Sequence, residues 1–547
     1  MIKYIFVAGG VISGVGKGIA AASIGKILES RGLEVTAMKI DPYVNVDAGT
    51  MNPTEHGEVF VLDDGTECDQ DMGNYERFLD RNLSRANYMT TGSIYLEVIQ
   101  KERHMEYKGK CVEVVPQVPF AIIDKIDEAA KKAKADVIIV EIGGTVGEYQ
   151  NILFLEAVRM LKFKKLDDVM LVLVSLLPTL EAGGTEIKSK PTQYAVRTLN
   201  AAGLQPDIII GRARIPLDDK RKQTIALNCS MDIKDIISAP NVESIYEIPL
   251  NFEKGNLSER ILEKLKVKPE QRDLAEWQSM VDRVHAAKKP VKIGIVGKYF
   301  GSGNFVLTDS YLSVLEAVKH GAAINEAKAD IEWIDSEEFE KNPEAIKNLS
   351  NLNGIIVPGG FGSRGIEGKI AAIRFARENK IPFLGLCYGL QLATIEFARN
   401  VCGLKNAHTT EINPKTPYPV VYIMPEQEKL LEGSQYGGTM RLGAYPCLLK
   451  KNTLAWKSYS SVFRHPSSVF RISERHRHRY EVNNKYIKEL QEKGLVISGT
   501  SPNGKLVEII ELADHPFFVA TQFHPELKSR PLSPHPLFLE FIKAAKI

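Results

Sequence analysis

The stretch Phe6 to Ala20 reads FVAGGVISGVGKGIA. The apolar run Tyr4 to Ala8 that leads into it predicts a buried strand. Five glycines fall between Gly9 and Gly18, with Lys17 among them, and small residues at helical spacing follow. A strand that breaks into a glycine loop and then opens a helix aims backbone N–H groups and a positive dipole end at one point. That point suits a phosphate. Gly14, Gly16 and Gly18 let the backbone approach closely, and Lys17 adds a mobile charge. The loop departs from a strict Walker A pattern, because Gly10 lies one residue too far from Gly16-Lys17. Gly18 also stands where Ser or Thr would hold Mg²⁺. An ordinary glycine-rich strand–helix turn is the alternative, but it has little use for the lysine.

Working outward, Leu33 to Ile40 predicts a second strand that ends in Lys39, Ile40, Asp41 and Pro42, where open α/β sheets bind ligands. Tyr43 to Gly73 is rich in Gly, Asn, Asp and Pro and reads as an extended active-site loop carrying Asp69 and Asp71. Asp136 to Thr145, DVIIVEIGGT, has the β-branched run of a central strand and closes near Glu141. A glutamate ending a buried strand needs a positive partner. Mg²⁺ fits, because it takes one or two carboxylates besides phosphate oxygens, and Asp71 with Glu141 supply them. A structural ion pair is the alternative. Asp168 to Ser175 and Asp207 to Arg214 predict further strands. Between them, Gly183-Gly184-Thr185 leads to Lys188 and Lys190, and a helix from Thr192 to Leu199 starts beside Pro191. This arrangement suits a second anion. Leu217 to Lys222 is charged enough for a solvated turn or a loop over the same anion.

The composition is that of a globular protein, with 547 residues, 44% hydrophobic, 25% charged and a formal net charge of +2. That size predicts two or more domains, and the near-neutral charge gives no bulk field for nucleic acid or a membrane. Six scattered cysteines, with no C-x-x-C pair, fit a reducing compartment and no zinc cage. The chain opens directly on a strand, so no signal peptide is expected, and the longest apolar run, Val169 to Leu177, is too short to span a bilayer. A cytoplasmic location is the expectation. The polar, helix-prone bridge over 267–290 separates a first domain, 1–266, from a second, 291–547.

The second half restarts the α/β pattern at Val291. Asn353 to Gly365, NGIIVPGGFGSRG, ends a strand in glycines whose N–H groups can form an oxyanion pocket. In IPFLGLCYGLQLA, Ile381 to Ala393, Cys387 sits between Gly385 and Gly389 at a strand-to-helix turn. This is a nucleophile elbow with cysteine in place of serine. The helix dipole there favours the thiolate. Phe518 to Glu526, FVATQFHPE, delivers His524 and Glu526 from a strand. Cys387, His524 and Glu526 then read as nucleophile, general base and imidazole orienter. Packed His and Arg in Glu474 to Asn483 suggest an arginine facing a substrate carboxylate rather than a nucleic acid.

Together these motifs resemble the CTP synthase family over nearly the whole chain. PGGFG, GLCYGLQ and FHPE resemble class I glutamine amidotransferases. GGVISGVGKG, MKIDPY, HGEVFV, VEIGGTVGE and KSKPTQ are similar to the synthase (amidoligase) domain. The resemblance implies two open, mostly parallel α/β sheets with helices on both faces. The first would be P-loop/dethiobiotin-synthetase-like and the second flavodoxin-like. It implies amination of UTP to CTP with ATP and L-glutamine, through a 4-phosphorylated UTP. ATP would meet Gly14, Val15, Gly16, Lys17, Gly18, Ile19, Lys39, Asp71 and Val242, with Mg²⁺ on Asp71 and Glu141. UTP or inhibitory CTP would meet Ser13, Glu148, Tyr149, Gln150, Lys188, Ser189, Lys190, Pro191, Thr192, Gln193, Lys222 and Thr224. Glutamine would meet Gly360, Tyr388, Gly389, Leu390, Gln391, Glu411 and Arg479. The resemblance further implies GTP as allosteric activator, an internal ammonia tunnel and a homotetramer. The chain departs from the family pattern at Gln150, where an acid is expected, and at Thr224, where a lysine is expected; Lys222 stands two residues away. Ser461-Val462-Phe463-Arg464 recurs as Ser468-Val469-Phe470-Arg471, which reads as a surface loop variation.

Overall fold

The computed structural model describes residues 2–546 apart from 180–185, 271–272, 299–300, 303–304, 307, 425–426, 429–436 and 463–469. Gly183, Gly184 and Thr185, and most of the Ser461–Arg471 repeat, lie outside the described residues. The chain forms two compact units, Met1–Asp47 with Asp71–Val281, and Ala48–Gln70 with Asp282–Ile547.

The first unit is built on β1 (Lys3–Gly10), β2 (Val35–Asp41), β5 (Tyr88–Thr90), β6 (Val137–Ile142), β7 (Val169–Leu176), β8 (Ile208–Ala213) and β9 (Ile236–Pro240). The second unit borrows a short hairpin from the same part of the chain, β3 (Val59–Val61) and β4 (Glu67–Asp69). The seven strands run in the order β5-β2-β6-β1-β7-β8-β9, with every pairing parallel. The connection after β1 leaves to one side of it and β7 to β9 lie on the other. The glycine loop therefore sits at the switch point where such sheets bind ligands.

β6 is buried along its length. Each fully buried Ile or Val there contributes roughly 1.5–3 kcal/mol, and Glu141 within it costs stability unless paired. Helix α1 (Lys17–Glu29) begins at Gly16 (φ 88°) and packs against α2 (Asp71–Leu79), where a Cβ on Gly25 would stand 2.8 Å from Leu79.

Three local expectations shift. The helix expected at Thr192–Leu199 is longer, α3 (Lys190–Ala201). The charged stretch around Leu217–Lys222 is neither turn nor loop throughout. Asp218 accepts the Arg221 N–H at 2.8 Å and opens α4 (Asp219–Cys229) as an N-cap. The bridge over 267–290 carries α5 (Ala275–Ala286), whose Trp277 donates to the Tyr246 carbonyl at 2.8 Å and lies 5.3 Å from the Phe78 ring. The first half of that helix is thus anchored in the first unit.

The second unit contains β10 (Lys289–Gly297), β11 (Ala327–Asp335), β12 (Gly354–Val357), β13 (Phe383–Leu386), β14 (Arg441–Leu449), β15 (Phe470–His478), β16 (Leu495–Thr500), β17 (Val507–Leu512) and β18 (Phe518–Thr521). Its nine-stranded order is β11-β10-β12-β13-β18-β17-β16-β14-β15. The pairings from β11 to β18 are parallel and those from β18 to β15 antiparallel, so this sheet is mixed. Within the antiparallel half, β14 alternates toward its end, with Cys447 and Leu449 buried on either side of a partly exposed Leu448, whereas β17 is buried from Val507 to Glu511. Helices α6 (Ile366–Glu378) and α7 (Tyr388–Asn400) pack against each other.

Residues 48–70 join this unit through ion pairs as well as packing. Arg475, wholly buried, meets Asp63 at 2.6 Å, and Arg477 meets Glu67 at 2.8 Å. Gly443 (φ 91°) lies where a Cβ would stand 2.6 Å from the Gly65 nitrogen. No helix among the described residues is long and apolar enough to cross a membrane.

Candidate active sites

In the first unit, Lys17, Lys39, Asp71 and Glu141 come together at the carboxyl ends of β1, β2 and β6. Lys39 Nζ lies 3.0 Å from Glu141 Oε1 and also bonds Asp71, while Tyr75 donates to the other Glu141 oxygen. The Lys17 side chain lies over Gly9, where a Cβ would come within 2.8 Å of its Cδ. Burial pushes the Lys17 ammonium down, with Glu141 pulling the other way. Burial and the nearby Asp71 push the Glu141 carboxyl up. Burial also acts to raise Asp71, but Lys39 prevails and holds it below the usual carboxylate range. The Asp71 carboxylate lies against Gly18, which explains the glycine in place of a hydroxyl residue. Two converging carboxylates beside an anion loop are a donor set that fits Mg²⁺ bound with a nucleotide.

Gly14 (φ 69°) and Gly16 adopt left-handed backbone in this loop, Val15 is buried, and Ser13 is exposed. Gly16, Ile19 and Val242 line one cavity of about 250 Å³ with Arg212, Asn241 and Phe252. Arg212, whose guanidinium burial pushes down, is a cation on that wall.

The residues expected at a second anion site come together in part. Glu148 bonds Thr145 and stands against Gly144, where a Cβ would come within 2.7 Å of its Oε2, while Tyr149 and Gln150 are exposed. Thr192 is buried 2.8 Å from Ser175 Oγ, and Gln193 donates to Ser189 Oγ at 3.1 Å. Lys190 and Pro191 form the first turn of α3, and Lys188 pairs with Glu186 at 2.7 Å. Lys222 and Thr224 lie on α4, which packs against α3; Thr224 Oγ1 is turned to the Lys220 carbonyl at 2.9 Å.

In the second unit, β13 and β18 are parallel neighbours, with Leu386 level with Thr521. Their carboxyl ends therefore deliver Cys387 and His524 to one place. Cys387 has φ 51° and ψ −96°, the strained backbone of an elbow. Its two glycines are required: a Cβ on Gly389 would stand 2.2 Å from the Val357 carbonyl, and one on Gly385 2.9 Å from Ala520. His524 Nδ1 meets Glu526 Oε1 at 2.7 Å. Burial acts to lower the His524 imidazole, but Glu526 and the Cys387 sulfur together raise it to about 10. Its Nε2 makes no hydrogen bond among the described residues. It is therefore free to exchange a proton with a thiol or leaving group.

Cys387, His524, Glu526, Gly359 and Gly360 line a cavity of about 80 Å³, whose wall is completed by Pro53, Glu58 and Val59. The Pro358–Gly362 loop is tied down around it. Glu411 accepts the Gly362 N–H at 2.9 Å, Tyr388 donates to the Gly362 carbonyl at 3.2 Å, and Lys298 bonds the same carbonyl at 3.1 Å. Gln391 donates to the Tyr480 carbonyl at 2.9 Å, and Leu390 lies in the first turn of α7. Arg479 is turned to Thr439 Oγ1 at 2.9 Å and to Gln427 at 2.5 Å.

A family model described as CTP synthase N-terminus matches residues 3–267, and one described as glutamine amidotransferase class-I matches residues 306–544. The CTP synthase of Carboxydothermus hydrogenoformans is 52% identical over 546 residues, covering 100% of this chain and 99% of that one. The chain belongs to the CTP synthase family. The CTP synthases of Halalkalibacterium halodurans and Methanococcus maripaludis are each 50% identical, over 544 and 552 residues, covering 99% and 100% of this chain and 99% of each relative. A solved structure titled Trypanosoma brucei CTPS glutaminase domain with bound acivicin is 40% identical, with a TM-score of 0.42. It covers 47% of this chain and 93% of that one. CTP synthases are glutamine-hydrolysing ligases of pyrimidine biosynthesis.

Against the CTP synthase motifs, sequence reasoning passed over several residues that the fold brings in. Pro53, Glu58 and Val59 precede the first unit's Asp71 in the chain yet line the Cys387 cavity. Glu58 sits within HGEVFV, but nothing local says where that motif packs. Lys298 directly follows β10, as Lys39 lies near the carboxyl end of β2, and a lysine at a strand's carboxyl end was the available signal.

Proposed function

We propose that this chain makes CTP from UTP, ATP and L-glutamine, with ammonia freed in the second unit and consumed in the first. One observation carries the reading. The segment whose Pro53, Glu58 and Val59 line the Cys387 cavity returns to the first unit directly at Asp71, part of the Lys17–Lys39–Glu141 cluster. A single stretch of chain thus serves both chemistries.

In the glutaminase step, His524 takes the proton of Cys387, and the sulfur attacks the carboxamide carbon of glutamine to give a tetrahedral adduct. The Gly360 N–H faces the developing oxyanion. Ammonia leaves with a proton from His524, and water then releases glutamate from the thioester. Glu411, Gln391 and Arg479, with Tyr388, Gly389 and Leu390 around the elbow, hold the substrate. In the synthase step, Lys17 stabilises the γ-phosphoryl group as it passes from ATP to O4 of UTP. Ammonia then adds at C4 and phosphate leaves with O4. Mg²⁺ held by Asp71 and Glu141 would neutralise phosphate charge when bound. The cavity of Gly16, Ile19 and Val242 suits the adenosine end of ATP. Ser13, Glu148 and the Lys188–Gln193 segment, with Lys222 and Thr224, suit the UTP triphosphate. GTP activation, CTP inhibition through the Glu148–Gln150 region, a homotetramer and a cytoplasmic location belong to the same reading.

The test is conversion of UTP with ATP and glutamine, followed by the pyrimidine absorbance change. Stoichiometric CTP, ADP, phosphate and glutamate are expected; glutamate without CTP contradicts the proposal.

A further inference from the structure

We propose that Gln522 is a positioning residue of the glutaminase centre, whose side-chain amide donates an N–H to the Cys387 sulfur and holds the thiolate in place for attack. The proposal rests on the reading of Cys387 as the nucleophile.

The direction in which the amide faces follows from a chain of bonds. The Tyr480 carbonyl can only accept, so the Gln391 atom 2.9 Å from it is the donor Nε2. That same Nε2 lies 3.4 Å from Gln522 Oε1, which fixes the carbonyl end of Gln522. Gln522 Nε2 then faces Cys387 Sγ at 3.6 Å, a span that suits the large sulfur atom. Gln522 is 1% exposed, and its main-chain N–H donates to the Glu508 carbonyl at 2.8 Å, so the buried side chain approaches from a fixed backbone.

The sulfur has a second polar neighbour with the opposite preference. The Arg477 carbonyl lies 3.6 Å from Sγ, where it can accept from a neutral thiol but repels a thiolate. A donor N–H gains strength when its acceptor ionises. The two contacts therefore serve the two protonation states of one sulfur: the Arg477 carbonyl suits S–H and the Gln522 amide suits S⁻. Through Gln391, the same chain of bonds continues to the Tyr480 carbonyl.

The experiment is the pH dependence of iodoacetamide alkylation at Cys387 in the full-length protein, followed on the Cys387 peptide by mass spectrometry. Wild type is compared with Gln522→Met, which removes the N–H at similar volume, and Gln522→Glu, which sets a carboxylate beside the sulfur. The alkylation midpoint is expected to rise by about one pH unit in Gln522→Met, a tenfold loss of rate well below the midpoint, and further in Gln522→Glu. If Gln522→Glu does not fold, Gln522→Met carries the test alone. An unmoved midpoint in the folded variants overturns this proposal only. A Cys387→Ala protein that still hydrolyses glutamine overturns the parent reading instead.

Discussion

A Cβ on Gly18 would stand 2.0 Å from Oδ1 of Asp71. The aspartate thus fills the space that a Walker A hydroxyl residue uses, and Lys39 holds it there. Overpacking of this kind costs about 1–3 kcal/mol. Gly18→Ser is expected to displace Asp71 and lower CTP formation at least tenfold with either nitrogen source, while glutamine hydrolysis persists. Initial rates of the three reactions check this.

Lys369 is fully buried on α6 and makes no hydrogen bond among the described residues; the Tyr388 ring lies 5.8 Å from its Nζ. Burial pushes its ammonium down to about 7. With the folded value below the unfolded one, the unfolded chain binds more protons between about pH 7 and pH 10.4, and the fold is penalised below that window. Lys369→Met is expected to stabilise the protein by about 1–3 kcal/mol near pH 7. The gain shrinks as pH rises toward 10. Melting temperatures across that range measure it.

His524 carries the opposite sign. Its folded value, raised to about 10 by Glu526 and Cys387 against burial, exceeds the unfolded value. The stability it contributes is full below about pH 6.5 and is lost as pH climbs through 10. The melting-temperature gap between wild type and Glu526→Gln is therefore expected to be widest near pH 6 and to close toward pH 10.

Much of this was legible in residue order, because local chemistry fixes it. The strand, glycine loop and helix over Lys3–Glu29 and the Cys387 elbow each declare themselves within one short continuous stretch of chain. Glu141 was legible as needing a positive partner; Mg²⁺ was the expected one, and the cation that stands beside it in the structure is Lys39. What stayed hidden depends on long-range packing. Asp63 and Glu67 lie in the stretch read as an active-site loop, and nothing local shows that β15 supplies their partners Arg475 and Arg477, some 400 residues away. Gln522 looks like a strand residue until the β13–β18 pairing sets it beside Cys387.

The Asp63–Arg475 pair ties the borrowed segment to the second unit. Burial acts to raise the Asp63 carboxyl, but Arg475 and Lys528 hold it below its ordinary value. Asp63→Ala leaves the buried Arg475 guanidinium short of an acceptor, an expected loss of about 1–3 kcal/mol. Because the folded value is depressed, the stabilisation is present above about pH 4 and lost as pH falls further. The gap in melting temperature should close in acid. Glutamine-driven synthesis should fall more than ammonia-driven synthesis, since Glu58 and Val59 line the Cys387 cavity.

In the proposed function, nitrogen release and pyrimidine activation use separate residues, and removing one nucleophile separates them. CTP formation by Cys387→Ala is measured with glutamine and, in parallel, with ammonium at alkaline pH. Loss of the glutamine-driven rate with a wild-type ammonia-driven rate is the predicted result. Loss of both rates, or survival of the glutamine-driven rate, contradicts the account.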